Sequence, residues 1–321
     1  MGLLELRLSM LATLTIIIGL STLVLTGIML YFGVFNIIAV GIIVVAINVA
    51  EWLFAPYLLG AVYKIRKISQ AENPQLHQIV DNLSKKCQIK TPELMLAQIP
   101  IPNAFAYGSP ISGSRVAVTP GLLTTLNTDE VEAVLGHELG HLRHHDVQVM
   151  MAVSVLPSVF MYLGYSFLWS GMLSGGSKKS GGGNGAIIGI GLMGFGYLLT
   201  FFTLWLSRVR EYFADRNSVQ VVDNGAWKLS TALAKIVSAT RKPSKQRQGQ
   251  PQGVSAFKCL FISDPGTSDQ AAKNIDATFM VQEILGRKLT SKDKVAEALS
   301  THPNMTKRLR ALQQLSQNPK A

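Results

Sequence analysis

HELGHLRHHD, residues 137–146, holds four of the six histidines in a chain of 321 residues. The residues before it, LNTDEVEAVLG, read as the start of a helix. Asn127 or Thr128 can cap it, and Asp129, Glu130 and Glu132 lie where negative charge suits the positive end of the helix dipole. Val131, Val134, Leu135, Leu139 and Leu142 recur at helical spacing as its apolar face. His137 and His141 then stand one turn apart, close enough for two imidazoles to bind one ion. Glu138 sits about 100° around the axis, placed to reach a water and not the ion.

The other two histidines fit less well. On one continuous helix His145 would lie about 12 Å along the axis from His137, too far to share a zinc ion bound at about 2.1 Å. A pattern with a third histidine farther along also fails, because His144 and Val147 stand where Gly and His would be needed. Both read as residues at the C-terminal end of a helix that runs on toward a membrane span. The third ligand must come from elsewhere, and a two-His site of this kind calls for a carboxylate on a second element. REYFAD, residues 210–215, offers Glu211 with Asp215 one turn on. Asp215 could accept a hydrogen bond from a ligating imidazole and fix its tautomer. By spacing alone, the two acids could equally be a solvated surface pair neutralised by Arg208, Arg210 and Arg216.

Outward from the motif, the chain turns apolar. No Asp, Glu, Lys or Arg occurs between Arg7 and Glu51, between Asp146 and Lys178, or between Lys179 and Arg208. A membrane span needs about 20 residues. The first run, Leu8 to Ala50, holds two spans with a turn near Tyr31-Phe32-Gly33, and it far exceeds the core of a cleaved signal peptide. The next two runs hold one span each, joined by SGGSKKSGGGNG (174–185). Four transmembrane helices in two hairpins are expected: residues 1–60 as the first hairpin and 148–206 as the second. Lys64, Arg66, Lys67, Arg208 and Arg210 flank the soluble segments, against Lys178 and Lys179 in the opposite loop. The positive-inside rule therefore turns the soluble side toward the cytoplasm, with the chain multi-pass in the cell membrane.

The soluble segments, 61–147 and 207–321, mix helix and short strands. Asn73-Pro74 reads as a helix start, with Leu76, Ile79, Val80, Leu83 and Cys87 on one face and His77 as a surface residue. Leu94–Ala97 and Arg115–Val118 read as strands. The segment around Asn103–Tyr107 is expected to offer an unpaired strand edge to an extended peptide. A helix, a turn at Asp223-Asn224-Gly225 and a second helix follow the last span. TRKPSKQRQGQPQG (240–253) reads as a loop. Two or three short helices close the chain, the last capped near Asn304 with Met305, Leu309 and Leu312 inward.

Composition excludes several classes. Cys87 and Cys259 are too few for a disulfide framework or a cysteine zinc cluster. Of the net charge of +11, residues 207–321 carry 19 Lys+Arg against 9 Asp+Glu. That basicity suits anionic headgroups, and no nucleic-acid-binding motif accompanies it.

AVLGHELGHLRHHD, followed two spans later by REYFAD, resembles the HtpX-type membrane zinc peptidases, relatives of the CAAX prenyl protease. NAFAYG (103–108), VAVTPGLL (116–123) and STHPNMTKRL (300–309) carry the same resemblance, which extends over essentially the whole chain. It implies a mainly α membrane protein with a zincin-like α+β catalytic domain and a small sheet. It implies one zinc per chain on His137, His141 and Glu211, with Glu138 as general base and Asp215 behind a ligand. Asn103, Ala104, Phe105 and Ala106 would flank the substrate cleft. His302 belongs to a family pair with Pro303, and His302, Arg308 and Tyr212 are donors from which an oxyanion partner could come. The implied activity is peptide-bond hydrolysis in membrane-protein quality control, on misfolded or membrane polypeptides. The competing reading is a zinc-binding membrane scaffold or chaperone without turnover.

Overall fold

The structure is a computed structural model that describes residues 36–173, 182–241 and 277–317. The first of the four expected spans, the turn near Tyr31, most of the 174–185 and 240–253 loops and Cys259 lie outside the described residues. The described chain is mostly helical with one small sheet. It runs α1 (Ile37–Val62), β1 (Arg66–Lys67), α2 (Pro74–Cys87), β2 (Glu93–Leu96), β3 (Ala104–Ser109), β4 (Gly113–Val118), α3 (Pro120–Thr125), α4 (Thr128–Arg143), α5 (Asp146–Leu173), α6 (Gly182–Val221), α7 (Gly225–Arg241), α8 (Ala277–Gly286), α9 (Ser291–Ala298) and α10 (Met305–Gln317).

Three helices among the described residues are long and apolar enough to cross a membrane, within Ile38–Val62, Asp146–Ser170 and Gly185–Val221. The last helix of the expected first hairpin runs past the end of the charge-free run at Ala50. α1 continues unbroken through Glu51 and Pro56 to Val62, because one charge among apolar residues does not end a helix.

The described residues divide into two compact units, one drawn from the chain up to Trp52 with Val149–Leu206, the other from Leu53–Gln148 with Ser207 onward. In the first unit, Val40 and Val44 of α1 meet Val159, Tyr162 and Leu163 of α5. α5 and α6 approach closely through glycine: a Cβ on Gly189 would come within 2.7 Å of the Gly164 carbonyl oxygen. Small residues at such contacts let backbones touch where lipid gives no hydrophobic drive.

The second unit is built on a mixed sheet in the order β1-β2-β4-β3. β2 runs parallel to β4, while β1 and β3 are antiparallel to their neighbours. β3 therefore lies at one edge. Side chains alternate along each strand, as a period of two requires. Met95, Phe105, Tyr107 and Ala117 bury one face against Leu59 and Tyr63. Leu94, Ala104, Val116 and Val118 bury the other within the main core, with Val80 and Leu83 of α2, Leu135 and Leu139 of α4, Leu233 of α7 and Leu309 of α10. Leu135 is fully buried, and Leu135→Ala would cost about 2–5 kcal/mol.

Local signals place the helices. Asn73 caps α2, its side chain accepting from Leu76 N, with Pro74 as first helical residue. His77 is half-buried and not a surface residue: its Nε2 lies 3.0 Å from the Ile68 carbonyl oxygen. Asn127 caps α4 in a reciprocal box with Glu130. The expectation that all four histidines share one helix running into the span is corrected. α4 ends at Arg143, His144 is its C-cap and His145 is left-handed, with φ of 53°, before α5 starts at Asp146. That reversal turns Asp146 back toward His141.

Two glycines decide how α4 meets the lower end of α6. A Cβ on Gly140 would come within 2.9 Å of Asn217 Cβ and 3.0 Å of Ala214 Cα, and one on Gly136 within 3.3 Å of Ser218 Oγ. The close approach is fixed by Ser218 Oγ donating to the Ala133 carbonyl at 2.7 Å and Asn217 Nδ2 to the Gly136 carbonyl at 2.8 Å. It carries Asp215 and Glu211, about one and two turns back along α6, to the face of α4 that holds the histidines.

Candidate metal centre

His137, His141 and Glu211 each offer a ligand atom, and the three atoms lie within 4.8 Å of one another. His137 Nε2 is 3.6 Å from Glu211 Oε2, and His141 Nε2 is 3.5 Å from Glu211 Oε1. Two ligand atoms each about 2.1 Å from one tetrahedral ion stand about 3.4 Å apart, so each imidazole–carboxylate pair has the spacing that zinc requires. Its orientation agrees. His137 Nδ1 lies 2.9 Å from Asp215 Oδ1, and His141 Nδ1 lies 2.6 Å from Asp146 Oδ2. A carboxylate on each Nδ1 holds the proton there and leaves both Nε2 lone pairs turned toward Glu211. Glu211 Oε2 is buried with no hydrogen bond among the described residues. Without an aligned donor that oxygen keeps a lone pair open to a metal ion, while the Arg308 guanidinium 3.2 Å away offsets its charge.

The solvated-pair alternative for the two acids does not hold, since Glu211 is 5% exposed and Asp215 2%. Nor are their partners the neighbouring arginines of α6. Arg308, fully buried on α10, donates from Nε to Asp215 Oδ2 at 2.7 Å and from Nη2 to Asp215 Oδ1 at 2.6 Å. Its Nη1 lies 3.2 Å from Glu211 Oε2, within ion-pair range but misaligned for a hydrogen bond. Nη2 is also 3.1 and 3.2 Å from the two ring nitrogens of His137. Near-equal distances make that a contact with the ring between them and not a bond to one lone pair. Burial works against the Arg308 charge, and Asp215 and Glu211 more than offset it. Arg210 turns instead to Asp146, Nε to Oδ1 at 2.9 Å. Arg208 donates to the carbonyls of Glu297, Ala298 and Ser300, fixing the turn that carries His302.

Burial pushes the Glu138 carboxyl above the usual range, and His137 and His141 pull it back. Burial would depress His141, but the Asp146 and Glu211 carboxylates raise it to about 10. Such a density of carboxylates around an imidazole is an environment built for positive charge. Glu138 Oε2 accepts a 2.8 Å hydrogen bond from the backbone N–H of Ala106 on β3. That bond shows which groups of β3 face outward. The Ala106 N–H points away from β4, and by strand alternation so do the main-chain groups of Ala104 and Gly108.

The substrate-flanking residues are thereby sorted. Ala104 and Ala106 present backbone on the outer edge. Asn103 is buried and its backbone is tied to Thr119, while Phe105 is buried on the far face beside Tyr107. His302 reaches the cluster, Nδ1 3.3 Å from Glu211 Oε1, with both ring nitrogens buried and without a hydrogen bond among the described residues. Tyr212 is half-buried on α6 and makes no hydrogen bond to the cluster among the described residues. His144 and His145 are exposed, His144 lying against Phe213, and neither joins the cluster.

Sequence reasoning did not single out Asp146 or Asn217. Asp146 follows the second histidine by five residues, a spacing that reaches it only because His145 breaks the helix. Asn217 had a signal in the small residues Ala214 and Ser218 around it, which mark a close helix contact.

A model of peptidase family M48 matches residues 70–316. The chain is 37% identical over 302 residues to "Protease HtpX homolog" of Thermoplasma acidophilum, covering 91% of each. It is 35% identical over 323 residues to "Protease HtpX homolog 2" of Sulfurisphaera tokodaii, covering 97% of each. Among solved structures, Ste24p of S. mikatae shares the fold with a TM-score of 0.56 at 16% identity, over 96% of this chain and 67% of that one. The match spans both sides of the helical pair α5–α6 and takes in every residue of the cluster, and the chain belongs to peptidase family M48.

Proposed function

We propose that the chain is a membrane-bound zinc endopeptidase whose second unit is the catalytic domain. The observation that carries this is the arrangement of two imidazole Nε2 atoms and one carboxylate at tetrahedral ligand spacing, with Glu138 beside them on an edge strand. His137, His141 and Glu211 would hold one zinc ion per chain. Bound there, zinc would acidify a water and polarise the peptide carbonyl.

The chain's own residues do the rest. An extended polypeptide adds to the outer edge of β3, pairing with the main-chain groups of Ala104 and Ala106. The Ala106 N–H orients Glu138, and Glu138 takes the proton of the attacking water and passes it to the leaving amine. The raised carboxyl of Glu138 suits a group that must both accept and return a proton. His302, with both ring nitrogens buried and without a hydrogen bond among the described residues, would donate to the developing oxyanion, since the Nε and Nη2 of Arg308 are committed to Asp215.

The chain would cross the cell membrane four times, with one span in the residues before Asn36 and the catalytic unit in the cytoplasm, as the basic flanks at Lys64, Arg66, Lys67, Arg208 and Arg210 direct. Its substrates would be misfolded or membrane polypeptides, in quality control at the bilayer.

Glu138→Gln tests the reading. Full-length protein in detergent should keep zinc near one per chain by elemental analysis and lose nearly all peptide cleavage, and a chelator should abolish cleavage by the native chain. Zinc bound at that stoichiometry with no cleavage by the native chain would favour the non-catalytic scaffold. Native-like activity in Glu138→Gln would remove Glu138 as base.

A further inference from the structure

Past Ala106, the end of the β3–β4 hairpin walls a cleft of about 600 Å³. Tyr107, Gly108 and Ser109 of β3 with Gly113 and Ser114 of β4 form that wall, and Lys90, Arg143 and His145 reach the cleft from beyond α2 and from the end of α4. None of the described residues lining the cleft is acidic. Lys90, Arg143 and His145 are all exposed and none enters an ion pair among the described residues. Among the described residues the Arg143 side chain donates one hydrogen bond, from Nη1 to Asn217 Oδ1 at 2.9 Å. The acids nearest in sequence are engaged elsewhere: Glu93, three residues after Lys90, pairs with Lys67 and Arg115, and Asp146, beside Arg143 and His145, is buried against His141 and Arg210.

Two unpaired cations and an imidazole therefore converge on the continuation of the strand edge that receives substrate. An added strand rises about 3.3 Å per residue, so Ser109 lies about 10 Å along the edge from Ala106. We infer that this cleft is a specificity pocket for a side-chain carboxylate of the substrate, an Asp or Glu two to four residues from the scissile bond on one side only. The inference rests on the peptidase reading above and names the substrate class of that site. Lys90 and Arg143 supply the charge, and His145 a further donor, held at the rim by its left-handed backbone.

The test uses acetylated and amidated peptides, so that no terminal charge contributes, with Asp or Lys placed in turn at each position around the cut. Binding to the full-length Glu138→Gln chain is followed by fluorescence anisotropy, and cleavage by the zinc-loaded native chain is followed in parallel. Asp should bind more tightly than Lys by about tenfold, the scale of one charge-assisted hydrogen bond, at positions on one side of the cut. The kcat/KM ratio should show the same asymmetry. Lys90→Glu, at an exposed position, should bring both ratios to one or below. A ratio near one at every position, no peptide binding at all, or a preference that Lys90→Glu leaves intact would overturn the pocket. Selective binding of Asp peptides with no metal-dependent cleavage of any peptide would instead leave the pocket standing and overturn the peptidase reading.

Discussion

The two metal-facing imidazoles are each backed by an aspartate and an arginine, yet the two chains of contacts differ in kind. Behind His137 stand Asp215 and Arg308, with the arginine 171 residues from the histidine and joined to Asp215 by two short, aligned hydrogen bonds. All three side chains are at most 2% exposed. Behind His141 stand Asp146, five residues on, and Arg210, whose Nε approaches at 2.9 Å without hydrogen-bond alignment. Here the imidazole is 15% exposed and the arginine 16%. The first arrangement closes the second unit by tying α4, α6 and α10 together. The second is a local device that orients one ring. Removing parts of the first should therefore disturb fold and metal together, whereas removing parts of the second should disturb metal alone.

Arg308→Met should have the largest effect. It leaves Asp215 and Glu211 buried without their counter-charge, a loss of about 3–5 kcal/mol by the behaviour of broken buried pairs. Thermal unfolding of the metal-free protein should show it, beside zinc content. Arg308→Lys keeps a charge but not the two-pronged geometry, and should fall between native and Met. A melting temperature in Arg308→Met equal to that of the native protein would remove the distinction between the two arrangements.

Asp215→Asn is next. The carboxamide can still face His137 Nδ1, but it no longer stabilises the ring as a strong donor, and Arg308 loses its charge partner. Zinc affinity should fall 10–100-fold, the usual range for a group behind a metal ligand, toward the upper end because the site is dry. Competition with a chromophoric chelator reads this directly. Asp146→Asn should fall at the lower end of that range, about 10-fold, since solvent near His141 replaces part of what is lost, and its metal-free stability should stay close to native. Equal losses from the two aspartate variants would mean that depth does not separate them.

How much of this was legible follows the same division. His137 and His141 could be read as one helix face, with Glu138 about 100° around it, because spacing alone places them. Glu211 and Asp215 could be read as a pair one turn apart, but their burial could not, because the residue that stabilises them, Arg308, is distant in sequence. Arg308 was seen as a donor near the chemistry, and its bond to Asp215 needed the fold. Asp146 was missed for a different reason. Its contact depends on the left-handed His145, a conformation uncommon for a residue with a side chain and so invisible to helical periodicity. β1 is two residues long and too short to carry an alternation pattern. β3 was expected as an edge, and the sheet order places it there, but its outward groups were known only once Ala106 was seen to meet Glu138.

The smallest expected effect is the sharpest test of the comparison. Arg210→Gln removes the outermost member of the His141 arrangement and nothing from the core of the second unit. Its Nε and Nη1 are buried but make no aligned hydrogen bond among the described residues, so what is lost is a charge interaction and not a hydrogen bond. With the arginine side chain still 16% exposed and unaligned, that pair should be worth about 1 kcal/mol. Zinc affinity should then drop by no more than about fivefold, the loss should shrink as salt screens the pair, and the melting temperature of the metal-free protein should not move. An arginine that instead acted as Arg308 does would show a salt-insensitive loss of tenfold or more together with lowered stability. Measured at low and high ionic strength, Arg210→Gln thus decides whether the two Arg–Asp–His arrangements are one design used twice or two designs of different strength.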